Sequence, residues 1–243
     1  MLSRPAGNLS RSSGRKPPAN APDDDEELSS SDMVVNHITA GVLAGRYVPS
    51  QRLVEADLTH ALRVSRGPVR EAFRRLDALG LLSRTMHRGA CVRTLSRAEA
   101  VDLMVASEGI NSQMARLAAT AVKARRGGRQ LAALERELRP YRDREYDLTS
   151  APQQRQRFYD ILMAMTGNTQ LPSVFPTMRI HLLRLQTQSY RNVDDRRSDV
   201  DDFAAVARAV LAGDGRAADK ASAVHHRQIQ RALLSMPDEA FPR

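Results

Sequence analysis

The sequence predicts a mostly α protein in two parts: three short helices with a β-hairpin, then an all-α antiparallel helical bundle. Three observations predict it. Ala, Leu and Arg abound while aromatics are 4% and Trp is absent, which favours helix over sheet. Apolar residues recur at three- and four-residue spacing from Asp32 almost to the end. One interruption, residues 81–93, holds two short strand-like runs joined around Gly89.

Residues 1–31 are rich in Ser, Pro, Gly and Asn, then acidic from Asp23 to Glu27. Without apolar periodicity they are expected to be a disordered, solvated tail. A helix follows on Val34, Val35, Ile38, Val42 and Leu43, stopped by Gly45 and Pro49. Glu55–Leu62 is the second helix, with Leu58 and Leu62 inward. After the turn at 63–65, Ser65 is placed to cap a third helix running to Leu79, where Gly80 ends it. Pro68 falls in its first turn, where a missing N–H costs little. Val69, Phe73, Leu76 and Leu79 are its expected core face. The hairpin strands are Leu81–Arg84 and Ala90–Arg93. Ser96 and Glu99 form a capping box that starts a long helix, Arg97–Val122. Helices are then expected near 128–140, 151–166, 171–191, 200–212 and 215–235, lengths that suit an antiparallel bundle. The boundaries are thus a tail at 1–31, a first domain at 32–95, a helical domain at 96–236 and a C-terminal tail at 237–243.

Helix, turn, helix and hairpin make a winged helix-turn-helix. Its third helix must bury one face and offer the other to the DNA major groove. Arg66 and Arg70 lie one turn apart on a different face, at the helix start. An arginine pairs with a guanine edge through two hydrogen bonds, while Ser65 and the helix amides suit a phosphate. His87 and Arg88, at the hairpin tip, suit the minor groove or a phosphate. The net charge of +9 favours a polyanionic partner. Charge alone does not single out the first domain, where ten Lys/Arg face five Asp/Glu, since the remainder is equally basic.

The run from Arg52 to Arg93 contains ValSerArgGlyProValArgGluAla and ArgGlyAlaCysVal. It resembles the DNA-binding domain of GntR-family bacterial transcription regulators, and the helical remainder resembles the FadR-type (FCD) effector domain. The resemblance spans about 34–235. It implies a homodimer on an inverted-repeat operator in double-stranded DNA, a repressor by family habit, with DNA contacts at Ser65, Arg66, Gly67 and Arg70 and at the wing's His87, Arg88 and Gly89.

Many FadR-type domains hold a divalent metal through an Asp or Asn and three His, and the metal helps bind a carboxylate. The matching positions here are Arg155, Tyr159, Phe203 and His225. A guanidinium where a cation would sit is electrostatically disfavoured, so no cofactor is expected and the metal site reads as lost. The arginine that family members use on the first long helix of the domain is matched by Ser107. Arg155 can instead pair directly with an acidic effector, with Tyr159 donating a hydrogen bond, Phe203 as an apolar wall and His225 opposite. The alternatives are a surface Arg155 beside an ordinary core, and a bundle that only dimerises.

Other classes are set aside on composition. There is no Gly-x-Ser-x-Gly, P-loop or Rossmann fingerprint, so no enzyme is expected. Stacking on RNA bases would want exposed aromatics, which the chain lacks; non-specific architectural DNA binding stays open. Cys91 rules out an internal disulfide and is expected to pack. No run nears the roughly 20 apolar residues of a membrane span, and the N-terminus has no signal-like apolar region, so a cytoplasmic protein with no membrane partner is expected.

Overall fold

The computed structural model describes residues 29–84, 89–123, 127–138, 151–175 and 177–242. His87 and Arg88, and most of the expected N-terminal tail, lie outside the described residues.

The first domain opens with α1 (Ser30–Leu43), whose N-terminus is capped by the Ser29 hydroxyl accepting from the Asp32 amide. Val34, Ile38 and Val42 are buried on its inner face, whereas Leu43, expected inside, is exposed. Next come β1 (Arg52–Leu53), α2 (Glu55–Leu62), α3 (Arg66–Ala78), β2 (Leu82–Arg84) and β3 (Ala90–Val92). The strands form an antiparallel sheet in the order β1-β3-β2, with Arg52 opposite Cys91 and Leu82 opposite Val92. Two-residue β1 was not foreseen: it is too short to show a period. The α2–α3 turn is made by Arg63 in the left-handed region (φ 54°).

α3 buries Val69, Phe73 and Leu76 as expected, but Leu79 is 60% exposed. Gly80, at φ +69°, ends the helix and redirects the chain, so Leu81 and Leu82 fill the interior in its place. Gly89 also has a positive φ (+89°), and a Cβ there would meet the Leu53 carbonyl oxygen at 2.6 Å. Its lack of a side chain lets β3 close against β1. Cys91 Sγ donates to the Ser50 carbonyl at 3.0 Å and is half-buried.

The second domain starts at α4 (Arg97–Lys123). Ser96 and Glu99 bond each other's backbone amides as a capping box, which holds the Glu99 carboxyl below its ordinary pKa. The helices α5 (Gly128–Leu138), α6 (Ala151–Thr166), α7 (Leu171–Val174), α8 (Thr177–Thr187), α9 (Val193–Leu211) and α10 (Gly215–Ser235) follow. α10 packs along α4 and α9, and α6 along α4.

Two expectations change here. The single helix expected over 171–191 is broken at Phe175, which is extended (ψ 119°) because a residue before proline is pushed out of the α region. The helix expected from residue 200 begins at Val193 instead. Asn192 caps it, accepting from the Asp195 amide, while the Asp195 carboxylate accepts from the Asn192 amide. The stretch from Asn192 to Ser198 is therefore a capped helix start rather than a break.

Residues 237–242 are not free of the bundle. They include a 3₁₀ turn, Asp238–Ala240, and Phe241 is buried with the Arg97 guanidinium 4.6 Å from its ring centroid. The domains are joined by specific bonds. Gln186 clasps the backbone of Leu95, donating to its carbonyl and accepting from its amide, both at 2.8 Å. His181 Nε2 donates to the carbonyl of Val42 at the end of α1 (3.1 Å). Among the described residues, no helix is long and apolar enough to cross a membrane.

Candidate functional site: a nucleic-acid interface and a buried charge cluster

The first surface is the start of α3. Ser65 stands at its N-cap with extended backbone, and its hydroxyl makes no capping bond. The first-turn amides beside it have no partner within the helix. Arg66 is exposed, and a Cβ on Gly67 would meet nothing within 4 Å, so this turn is open to close approach. Arg70 is 63% exposed and its Nε donates to the Glu55 carboxylate at 2.9 Å. Arg74 is exposed and pairs with Glu71, and Arg75 pairs with Asp32 at 2.7 Å, holding α3 to α1. Ser65, Arg66, Gly67 and Arg70 thus share one accessible turn. The sequence missed the partner of Arg70, because Glu55 lies on a different helix.

The second site is inside the bundle. Arg155, Tyr159, Phe203 and His225, from α6, α9 and α10, come together. The Tyr159 and Phe203 rings lie 5.9 Å apart, Phe203 and His225 4.9 Å, and the Arg155 guanidinium is 5.7 Å from the Phe203 ring centroid. Arg155 is neither at the surface nor free. Its Nη2 donates to Asp199 Oδ2 at 3.0 Å. Arg191 donates to both oxygens of the same carboxylate, at 2.7 and 3.0 Å, and Arg184 Nη1 approaches to 3.8 Å. Burial acts to raise the Asp199 pKa, but Arg191 and Arg155 outweigh it and hold it at about 2, so the carboxylate stays ionised.

Around this cluster each polar group has a definite state. Burial raises the Tyr159 phenol well above its ordinary pKa, so it stays a donor. His225 Nδ1 meets Asp202 at 3.0 Å, while its Nε2 is buried without a hydrogen-bond partner. His226 is buried beside it, pushed down to about pKa 4 by burial and by His225. It donates from Nδ1 to the Ser222 carbonyl and accepts from Asn111 at Nε2. Ser107 is buried and spends its hydroxyl on the Leu103 carbonyl. The donor set does not suit a metal: a guanidinium and two aromatic rings occupy three of the four matched positions. Among the described residues, no three His, Cys, Asp or Glu side chains are grouped to hold one.

A winged helix-turn-helix with an open arginine-bearing recognition turn, joined to a helical bundle, defines a two-domain DNA-binding regulator. Residues 30–92 match the model of the bacterial regulatory proteins of the gntR family, and residues 102–228 match that of the FCD domain. The chain belongs to the GntR family, in its FCD-bearing form; these proteins are transcription regulators, not enzymes. Over 85 residues, 34% of this chain, it is 39% identical to the "Probable D-xylose utilization operon transcriptional repressor" of Paenarthrobacter nicotinovorans, and the match spans 38% of that relative's length. The fold is that of E. coli McbR/YncC (TM-score 0.72, 18% identity, 85% of this chain and 98% of that one). It is also that of a Rhodococcus sp. RHA1 chain described as a transcriptional regulator GntR (TM-score 0.67, 19% identity, the same coverage).

Proposed function

We propose that this protein is a sequence-specific transcription regulator that binds an inverted-repeat operator in double-stranded DNA as a homodimer, and that a small acidic metabolite in the helical domain controls it. Its direction of action is repression, as in the name of the Paenarthrobacter relative. The open first turn of α3 carries the reading. Arg66 reads a base edge, and Ser65 with the amides around Gly67 holds a phosphate. Arg70 exchanges Glu55 for DNA, a small loss because exposed ion pairs contribute only about 0–1 kcal/mol. His87, Arg88 and Gly89 contribute from the wing.

In the helical domain the acid meets Arg155 and Tyr159, with Phe203 and His225 behind them and no resident metal. The pairing of Arg155 with Asp199 favours a second reading, in which the bundle only dimerises.

The test is selection of bound duplexes from a random pool, followed by affinities for the selected and a scrambled duplex at one salt concentration. A specific regulator binds the selected duplex about a thousandfold more tightly or better, and sedimentation gives a dimer. A ratio near one would leave a non-specific architectural protein.

A further inference from the structure

We propose that the segment after α10, residues 237–242, is a strap that fixes the joint between the two domains and thereby selects the spacing of the operator half-sites. This rests on the dimeric regulator reading above and names the residues, Gln186, Arg97 and Phe241, that position its reading domains.

The joint is short. Arg93 still belongs to the first domain, its amide donating to the Leu81 carbonyl at 3.0 Å, and α4 begins at Arg97. The chain passes between the domains over residues 94–96, and Leu95, in their middle, is 1% exposed. Gln186 of α8 holds both backbone groups of Leu95, and its Nε2 also donates to the Ala240 carbonyl at 2.9 Å. A primary amide has two N–H donors, and here both are spent, one on the joint and one on the segment after α10. Turning the amide over would set its NH2 group against the Leu95 N–H, so the network admits one orientation.

Arg97 is held by the same segment. Its Nη1 donates to the Leu233 carbonyl at 2.6 Å and its Nη2 to Asp238 at 2.8 Å, while Phe241 packs against the guanidinium. The last turn of α10 has no basic residue of its own, so the first residue of α4 caps it. The 3₁₀ turn is closed by its own backbone bonds, from the Ala240 amide to Pro237 and from the Phe241 amide to Asp238. Ala240 and Phe241 are buried, whereas Asp238 is fully exposed and its ion pair contributes little. The hold comes from the Ala240 carbonyl and the Phe241 ring.

Two residues at the joint, Leu95 and Arg97, are thus tied to residues that follow α10. In a two-fold dimer each reading domain hangs from the bundle through such a joint. Half-site spacing is then a geometric consequence of where the two α3 helices stand. A stiff joint admits one spacing and a loose one admits several, with no residue of the strap touching DNA.

The test compares the full-length parent with F241A and Q186L, checked for folding by circular dichroism. Q186E, which keeps an acceptor for the Leu95 amide and loses both donors, stands in if Q186L does not fold. Hydrogen exchange without DNA is read first. F241A removes none of the bonds to Leu95, yet the Leu95 amide should exchange about tenfold faster or more. Affinities are then measured for the selected duplex, for versions with the half-sites moved apart or together by one and two base pairs, and for a single half-site. The parent should prefer the selected spacing about tenfold or more, and both variants should narrow that preference to about threefold or less, with half-site affinity unchanged within about twofold. A strap that only stabilises the bundle would weaken half-site binding or leave the spacing profile as it is, and either result overturns the proposal. Unchanged exchange at Leu95 in F241A overturns it as well. A parent that prefers no duplex sinks the regulator reading and the spacing role with it, and the exchange result alone then decides the strap.

Discussion

Arg155 donates to Asp199 across the α6–α9 contact at 3.0 Å, so a buried salt bridge ties the two helices together. Removing one partner of a buried pair leaves the other charge stranded, which costs about 3–5 kcal/mol. Asp199→Asn strands three guanidinium groups at once, so it should lower the urea-unfolding free energy by about that much. Arg184→Gln, whose contact with Asp199 is no hydrogen bond, should cost far less. An Asp199→Asn protein about as stable as the parent would mean that the cluster is not what holds α6, α8 and α9 together.

Arg66→Ala tests the recognition turn. The side chain is exposed, so thermal stability should change little. Affinity for the selected duplex should fall by about 1–3 kcal/mol, with relaxed preference at one base pair. Arg74→Ala, whose side chain pairs with Glu71 further along the helix, should cost affinity evenly across sequences. An unchanged duplex affinity in the Arg66→Ala protein would place the reading head elsewhere.

The facing of α3 gives a sharper test of packing. Val69 is fully buried between α3 and the first-domain core, so Val69→Asp buries a charge without a partner and should unfold that domain. Leu79→Asp should be nearly silent, because that side chain is 60% exposed. Helical periodicity alone predicts the same outcome for both. Melting curves that treated the two alike would contradict the way Gly80 redirects the chain.

That pair of leucine and valine shows what sequence can convey. Elements with a local signal were legible: α2 from its spacing, α4 from the Ser96–Glu99 box, and the wing from Gly89. The exposed turn of α3 was legible because which residues share a face of one helix is a matter of spacing. What was lost depends on contacts between elements. Leu79 fails because a left-handed glycine ends the helix before the period does. The acidic run at 194–202 looks like solvated loop until Asn192 and Asp195 are read as a cap; then Asp199, Phe203, Val206 and Val210 share one buried face. Arg155, Tyr159, Phe203 and His225 were brought together by resemblance. Asp199, Arg184 and Arg191 were missed because no short-range pattern marks three arginines that meet one aspartate from three directions.

Two buried histidines make stability depend on pH. Burial holds His226 near pKa 4, below the ordinary imidazole value of 6.5, and its Nδ1–H and Nε2 are both used in the neutral form. Below pH 6.5 the unfolded chain therefore binds a proton that the folded chain refuses. The stabilisation is complete above pH 6.5 and is lost as pH falls towards 4, by about 2 kcal/mol at pH 5. His181, also pushed down by burial, adds to the loss with the same sign. Asp199 works in the same direction only below pH 3.8 and does not reach this window. The unfolding free energy should thus drop between about pH 7 and pH 5, and His226→Gln should reduce that drop while lowering stability at neutral pH. An equal drop in the variant and the parent would show that His226 titrates normally in the folded protein, which its bonds to Asn111 and Ser222 oppose.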